Sequence, residues 1–297
     1  MPNTIDSPEK TASSNSNFEW NWDWNYQNED DEQSRIKKLY RKAVSDQWSA
    51  VESLDWSQTI DPSRPLIQPS RFMPISTMAY DKLSRQQQEK LIVGLTNVSF
   101  SQILHGELGA LMVASELVHC LPGHEMKQAA SAQVMDEARH LDVFTRYVRR
   151  QGEIFPPSPP LKRILDMIAR YPLWQGQMVG MQIVIEGIAM ATFIDTREAT
   201  TCPLLKDILH LVIKDEARHI SFGKMSLRQH IELMSIEERA QLDSFIIQLL
   251  QEFQAWGGHP EDMLNFCQIL IEADIDPTDM ISATLRDVEA GHPLNLS

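Results

Sequence analysis

The chain has 297 residues, with 41 acidic side chains against 27 basic ones and a formal net charge of −14. That balance excludes recognition of a nucleic-acid backbone, which needs a basic stripe, while 42% hydrophobic residues suffice for a sizeable core. No run of ~18 apolar residues predicts a membrane span, the N-terminus lacks a signal pattern, and Cys120, Cys202 and Cys267 lie too far apart for a disulfide framework or a CxxC metal clip. The expectation is a cytoplasmic protein without a nucleotide-cradling glycine loop or a nucleophile elbow.

Residues 1–29 are rich in Ser, Asn, Asp and Glu and read as a disordered tail. Within them, Phe18–Tyr26 alternates aromatic and polar side chains, which suits a staple onto the body or a lid. Residues 30–297 read as one helical domain. Near-helical spacing of Ile36, Leu39, Tyr40, Ala43, Trp48 and Val51 predicts a helix from about Glu29 to Leu54. Four prolines make Asp61–Pro74 an irregular connector. Helices are then expected at about Leu83–Cys120, Glu125–Arg150, Leu161–Arg170, Leu173–Glu198 and Leu204–Arg228. Three more follow near 236–256, 261–273 and 277–289. No convincing strand appears, so the fold class is all-α.

The pentapeptide Asp-Glu-Ala-Arg-His occurs twice, at Asp136–His140 and Asp215–His219. Glu107 precedes Glu137 by 30 positions (137 − 107), and Glu186 precedes Glu216 by the same interval (216 − 186). Turn signals fall near both midpoints, at Pro122 and at Thr201 beside Pro203. Two antiparallel arms of ~20 Å, joined by a short turn, therefore bring Glu107 level with Glu137 and His140, and Glu186 level with Glu216 and His219. Glu and His three positions apart share a helix face. Two such helices plus two single-Glu helices supply the ligand set of a dimetal carboxylate site in a four-helix bundle. Hard carboxylates bridge two irons and each imidazole completes one metal's shell. Glu137 and Glu216 are expected to bridge, with Glu107 and Glu186 terminal.

Each glutamate sits on an otherwise apolar stripe, where a lone carboxylate is expensive unless paired or metallated. Asp136 and Asp215 lie four residues before their own histidines. In a two-fold bundle each could accept the N–H of the other motif's histidine, with Arg139 and Arg218 pairing to the aspartates. Phe100, Leu104, Ala110, Phe144, Met190 and Phe193 are candidates for an apolar pocket beside the metals. His105, His119, His124, His210 and His230 read as capping or surface residues.

On Glu107, Glu186 and the two repeated motifs, the sequence resembles the ferritin-like di-iron carboxylate superfamily, in its oxygen-activating branch. The likeness covers about residues 83–230. It implies a four-helix bundle with added terminal helices, a site of two irons (manganese or a mixed Mn/Fe pair suits the same ligands) and O₂ as co-substrate. Electrons would come from an external reductase or ferredoxin. Phe144 stands where ribonucleotide reductase small subunits carry a radical tyrosine, and Met190 where multicomponent hydroxylases place a threonine. The three cysteines cannot build a rubredoxin module. The nearest look is to arylamine N-oxygenases, through size, the paired motifs and Trp48…Asp55-Trp56. Val212 replaces the extra histidine that this group carries four residues before the second-motif glutamate, and His210 falls elsewhere on the helix. The resemblance implies a monooxygenase that hydroxylates or N-oxygenates a small apolar or aromatic molecule; an oxidase or desaturase, or a ferroxidase or peroxidase without organic substrate, are the alternatives. Residues 231–297 are expected to pack on the bundle or to form a homodimer contact.

Overall fold

The computed structural model of the chain describes residues 34–60, 77–255 and 260–291. The tail at 1–29, with its aromatic stretch, and the Asp61–Pro74 connector lie outside the described residues.

Among the described residues the structure is helical and contains no strand. The helices in chain order are α1 (Arg35–Ser45), α2 (Thr77–Asp81), α3 (Arg85–Cys120), α4 (His124–Gln151), α5 (Pro159–Ala169) and α6 (Trp174–Met178). A π-helical segment (Val179–Ile185) runs on into α7 (Glu186–Ala199). Then come α8 (Pro203–His230), α9 (Ile236–Ala255), α10 (Pro260–Glu272) and α11 (Pro277–Glu289).

Local signals set most boundaries. Ser84 caps α3 in a reciprocal capping box with Gln87. Ser158 caps α5, and a proline begins each of α5, α8 and α11, where its missing N–H costs nothing. Gly123, at φ 70°, turns the chain between α3 and α4, a conformation that other residues rarely adopt.

Two elements differ from the sequence expectation. The first helix stops at Ser45, so Trp48 and Val51 lie in the irregular segment after it; the spacing of apolar residues continues there, but they pack as separate anchors rather than as one face. The helix expected over Leu173–Glu198 carries the π-helical segment in its middle. Such wide turns hold one extra residue and recur at functional sites. Hydropathy periodicity does not register a shift of hydrogen-bond partner. The stretch Trp174–Ala199 is also long and apolar enough to cross a membrane by length and composition. Here it packs against α3 and α8 and contains the buried Glu186.

α3, α4, the π/α7 stretch and α8 form the central bundle, and each is apolar on both sides of a polar belt. On α3, Leu91, Leu95, Phe100 and Leu104 enter one core cluster, while Ala110, Val113 and Leu117 enter a second. Glu107 lies between them. On α4, Val143, Phe144 and Tyr147 join the first cluster, Met126, Ala129 and Ala130 the second, with Glu137 and His140 between. α8 repeats this with Leu205–Val212 on one side, Phe222 and Leu227 on the other, and Glu216 and His219 between. Phe193 and Met181 flank Glu186 in the same way. Two apolar cores thus hold one buried charged layer rigidly, since close-packed interiors resist displacement.

Candidate metal centre

The structure brings Glu107, Glu137, Glu186, Glu216, His140 and His219 into that layer, and all six are buried, Glu137 and His140 completely at 0% exposure. Glu107, Glu137, His140 and Glu216 each offer a ligand atom to one common point, and Glu137, Glu186 and His219 to a second. His140 Nδ1 stands 3.3 Å from Glu107 Oε2, 3.3 Å from Glu137 Oε2 and 3.2 Å from Glu216 Oε1. His219 Nδ1 stands 3.1 Å from Glu137 Oε1, 3.4 Å from Glu216 Oε2 and 3.9 Å from Glu186 Oε1. Glu137 and Glu216 therefore face both imidazoles, one oxygen to each. Glu107 and Glu186 each face one.

The opposite side of each imidazole is held across the two-fold. His140 Nε2 donates to Asp215 Oδ2 at 3.1 Å, and His219 Nε2 donates to Asp136 Oδ2 at 3.2 Å. An ionised carboxylate only accepts, so Nε2 of each imidazole carries a proton, and Nδ1 is the nitrogen that faces the cluster and could ligate a metal in exchange for its own proton. Arg139 Nη2 lies 2.5 Å from Asp136 and 2.9 Å from Asp215. Arg218 Nη2 lies 3.2 Å from Asp136 and also bonds Asp215. Each arginine thus ties both aspartates together, an arrangement that needs the second motif's helix and is stronger than a surface pair within one helix.

Sequence reasoning missed several residues of this layer. Gln133 Nε2 donates to Glu137 Oε1 at 3.0 Å and to Glu186 Oε1 at 2.7 Å, and Gln182 Nε2 donates to Gln133 Oε1 at 3.2 Å. Gln182 sits in the π-helical segment, where Gly223 of α8 leaves room for it; a Cβ there would come within 2.8 Å of the Gln182 Cβ. Trp48 donates its indole N–H to Asp215 Oδ2 at 2.8 Å, and Gln47 Nε2 donates to Asp136 Oδ1 at 3.1 Å. Gln133 had one legible signal, its place one helical turn before Glu137. The glutamine and tryptophan after α1 had none.

The electrostatics are those of four carboxylates and two imidazoles crowded into one buried layer. Burial pushes the Glu107 carboxyl up to about 8 and pushes that of Glu186 well above the carboxylate range. Burial opposes the charge on Glu137 too, but the imidazoles of His219 and His140 outweigh it and hold that carboxyl low. Both histidines are raised well above their ordinary value: burial works against the proton, and the surrounding carboxylates overcome it. Glu137 Oε2, Glu186 Oε2, Glu216 Oε2 and His219 Nδ1 are buried without a hydrogen-bond partner. Orphaned buried polar atoms are costly, and every one of these is of a type that could ligate a metal and faces the same layer. The donor set fits two divalent metals with oxygen and imidazole ligands.

A cavity of about 250 Å³ abuts this layer between α3 and α7. Ile103, Ala110, Ile185, Ala189 and Phe193 line it, Leu161 of α5 and Phe253 of α9 contribute, and its buried wall includes Glu107, Glu186 and Glu216. Of the six pocket candidates, Ala110 and Phe193 line this cavity. Phe100, Leu104, Phe144 and Met190 do not. The first three are in the core cluster beyond the metal layer, where Phe100 packs on Phe144 at 5.9 Å and on Tyr147 at 5.3 Å between ring centres. Helical spacing identifies an apolar face, but not which part of it a neighbouring helix fills.

The fold and this layer define a ferritin-like helical bundle of the carboxylate dimetal oxygenase and oxidase superfamily. The chain belongs to the family described as P-aminobenzoate N-oxygenase AurF, whose pattern matches residues 29–261. No curated protein matches it. Among solved structures, it is similar to an R2-like ligand-binding oxidase with an anaerobically reconstituted Mn/Fe cofactor, at 17% identity and TM-score 0.53, over 88% of this chain and 93% of that one. A second such oxidase, with an Fe/Fe cofactor, matches at 16% identity and TM-score 0.51, over 88% and 93%. These likenesses speak for the fold. The family makes the chain an oxidoreductase.

Proposed function

We propose that this chain is a dimetal monooxygenase that uses O₂ to oxidise a small, largely apolar or aromatic molecule. In this reading residues 30–297 act as one domain. Glu107, Glu137, His140, Glu186, Glu216 and His219 hold two irons, or a Mn/Fe pair of the kind described for the similar oxidases. The observation that carries the reading is the paired contact of Glu137 and Glu216 with both imidazoles, next to an apolar cavity.

Two irons held there would activate O₂, which is itself the oxidant. The chain's own residues do the rest. Asp136 and Asp215 fix the imidazole tautomers. Arg139 and Arg218 neutralise the aspartates, so that the layer stays charged away from water. The cavity brings the substrate against the Glu107 and Glu186 side. In this reading electrons arrive from a separate reductase or ferredoxin; among the described residues Cys120, Cys202 and Cys267 form no disulfide and join no metal-binding group.

The test is a single turnover. Iron-loaded, pre-reduced protein is expected to consume O₂ without a partner, and an apolar aromatic substrate is expected to yield an oxygen-containing product in the same turnover. Oxygen uptake without any product from a panel of such molecules would favour a ferroxidase. No uptake would overturn the reading.

A further inference from the structure

We infer that the cavity selects uncharged substrates and rejects those that carry a carboxylate. This deepens the proposed function and rests on it. The family is named for p-aminobenzoate, an anion, yet the described walls of this cavity offer an anion no cation.

Among the described residues no Lys, Arg or His lines it. Its buried wall already carries three carboxylates, Glu107, Glu186 and Glu216. Three neutral polar side chains, Ser99, Gln102 and Thr192, also line it, and the last two are already committed. Gln102 Nε2 donates to Pro156 O at 3.0 Å and its Oε1 accepts from Ser158 N–H at 2.7 Å. The Thr192 hydroxyl donates to Ile188 O of its own helix at 3.0 Å. The charged layer's arginines, Arg139 and Arg218, are spent on Asp136 and Asp215, on the Nε2 side of the histidines. The cavity wall belongs to the Nδ1 side.

Once two divalent metals balance the four glutamates, the layer has no surplus positive charge to lend. A substrate carboxylate in the outer part of the cavity would be an unpaired charge in apolar surroundings, and such a charge costs more than its contacts return. Size sharpens the class. A cavity of roughly 150 Å³ takes benzene, so about 250 Å³ takes one ring with a short substituent. The ligand is a neutral single-ring aromatic with one or two short substituents, or an aliphatic molecule of like bulk.

The experiment uses two matched pairs of probes on the metal-loaded protein under anaerobic conditions: 4-isopropylaniline against 4-aminobenzoate, and isopropylbenzene against benzoate. Members of a pair have the same number of non-hydrogen atoms. Calorimetry or perturbation of the metal spectrum reads binding without turnover. The neutral member of each pair is expected to bind at least about tenfold tighter. Ile188→Lys, a substitution at an exposed lining position that the fold tolerates, is expected to narrow or invert the preference by supplying the missing cation. Equal or tighter binding of the carboxylates to the unaltered protein, or no binding of the neutral probes at millimolar concentration, would overturn the inference. Oxygen uptake by the iron-loaded protein would survive either result, so failure of this inference is separable from failure of the proposed function.

Discussion

Trp48 and Asp215 are joined by an indole N–H donated at 2.8 Å to Oδ2, the same oxygen that accepts from His140 Nε2 at 3.1 Å. The indole also stacks over His140 with ring centres 6.4 Å apart, and the Arg139 guanidinium lies 4.7 Å from the Trp48 ring centre. A residue from the segment after α1 thus reaches the cluster through one carboxylate. Trp48→Phe keeps a ring and removes the donor. The expected cost to folding is about 1 kcal/mol, with metal affinity weakened by roughly tenfold, because partners of a ligating imidazole tune its orientation and basicity. Denaturant unfolding and a metal titration check the two parts. Unchanged affinity would mean that Trp48 serves packing alone.

Gln133 ties Glu137 to Glu186 and touches neither Glu107 nor His140. Replacing it by Leu keeps the volume and leaves both carboxylates without their amide donor. Gln133→Leu should therefore loosen the metal nearer His219 and Glu186 by roughly tenfold, and spare the one nearer His140 and Glu107. A stepwise metal titration reads this as two separated binding phases. Equal weakening of both phases would contradict the assignment of Gln133 to one half of the site.

The metal-free protein has a defined pH dependence. Glu107, raised by burial to about 8, and Glu186, raised in the same sense, are more stable protonated in the fold than in the unfolded chain. His140 and His219 are raised as well, by their carboxylate neighbours against the effect of burial. A raised folded pKa gives stability that is complete below the unfolded value and lost as pH rises through the folded one. The metal-free protein should thus lose thermal stability as pH is raised from about 4.5 to about 8, between the ordinary and the raised value of Glu107. Metal competes with these protons, so loading should release protons and reverse or flatten the slope. Melting temperatures with and without metal at both ends of that range check it. A metal-free melting temperature that rises with pH would refute the buried, protonated layer.

Much of this was written in the chain. The 30-residue intervals and the two Asp-Glu-Ala-Arg-His motifs put six candidate ligands in register, because helix rise and a short turn convert sequence separation into height along the bundle. The crossing of Asp136 to His219 and of Asp215 to His140 followed from the repeat once two-fold packing was assumed. What stayed hidden depends on contacts between distant segments. Gln47 and Trp48 reach the cluster only because α1 ends at Ser45 and the chain turns in over α4 and α8. The π-helical segment leaves no trace in the apolar pattern. Phe100, Leu104 and Phe144 share the apolar face that a pocket would use, but the close packing of α3 and α4 leaves them in the core, and the open space falls beside Ile103, Ala189 and Phe193.

The central claim is that the six buried side chains would hold two metals, with Glu137 and Glu216, which face both imidazoles, serving both. Metal stoichiometry tests it most directly, on protein reconstituted with Fe(II) without oxygen and freed of loose metal. The account predicts two irons per chain for the unaltered protein. It predicts loss of both from Glu137→Ala with helical content retained, since the removed carboxylate faces both imidazoles. A Glu137→Ala protein that still holds two irons per chain would contradict it.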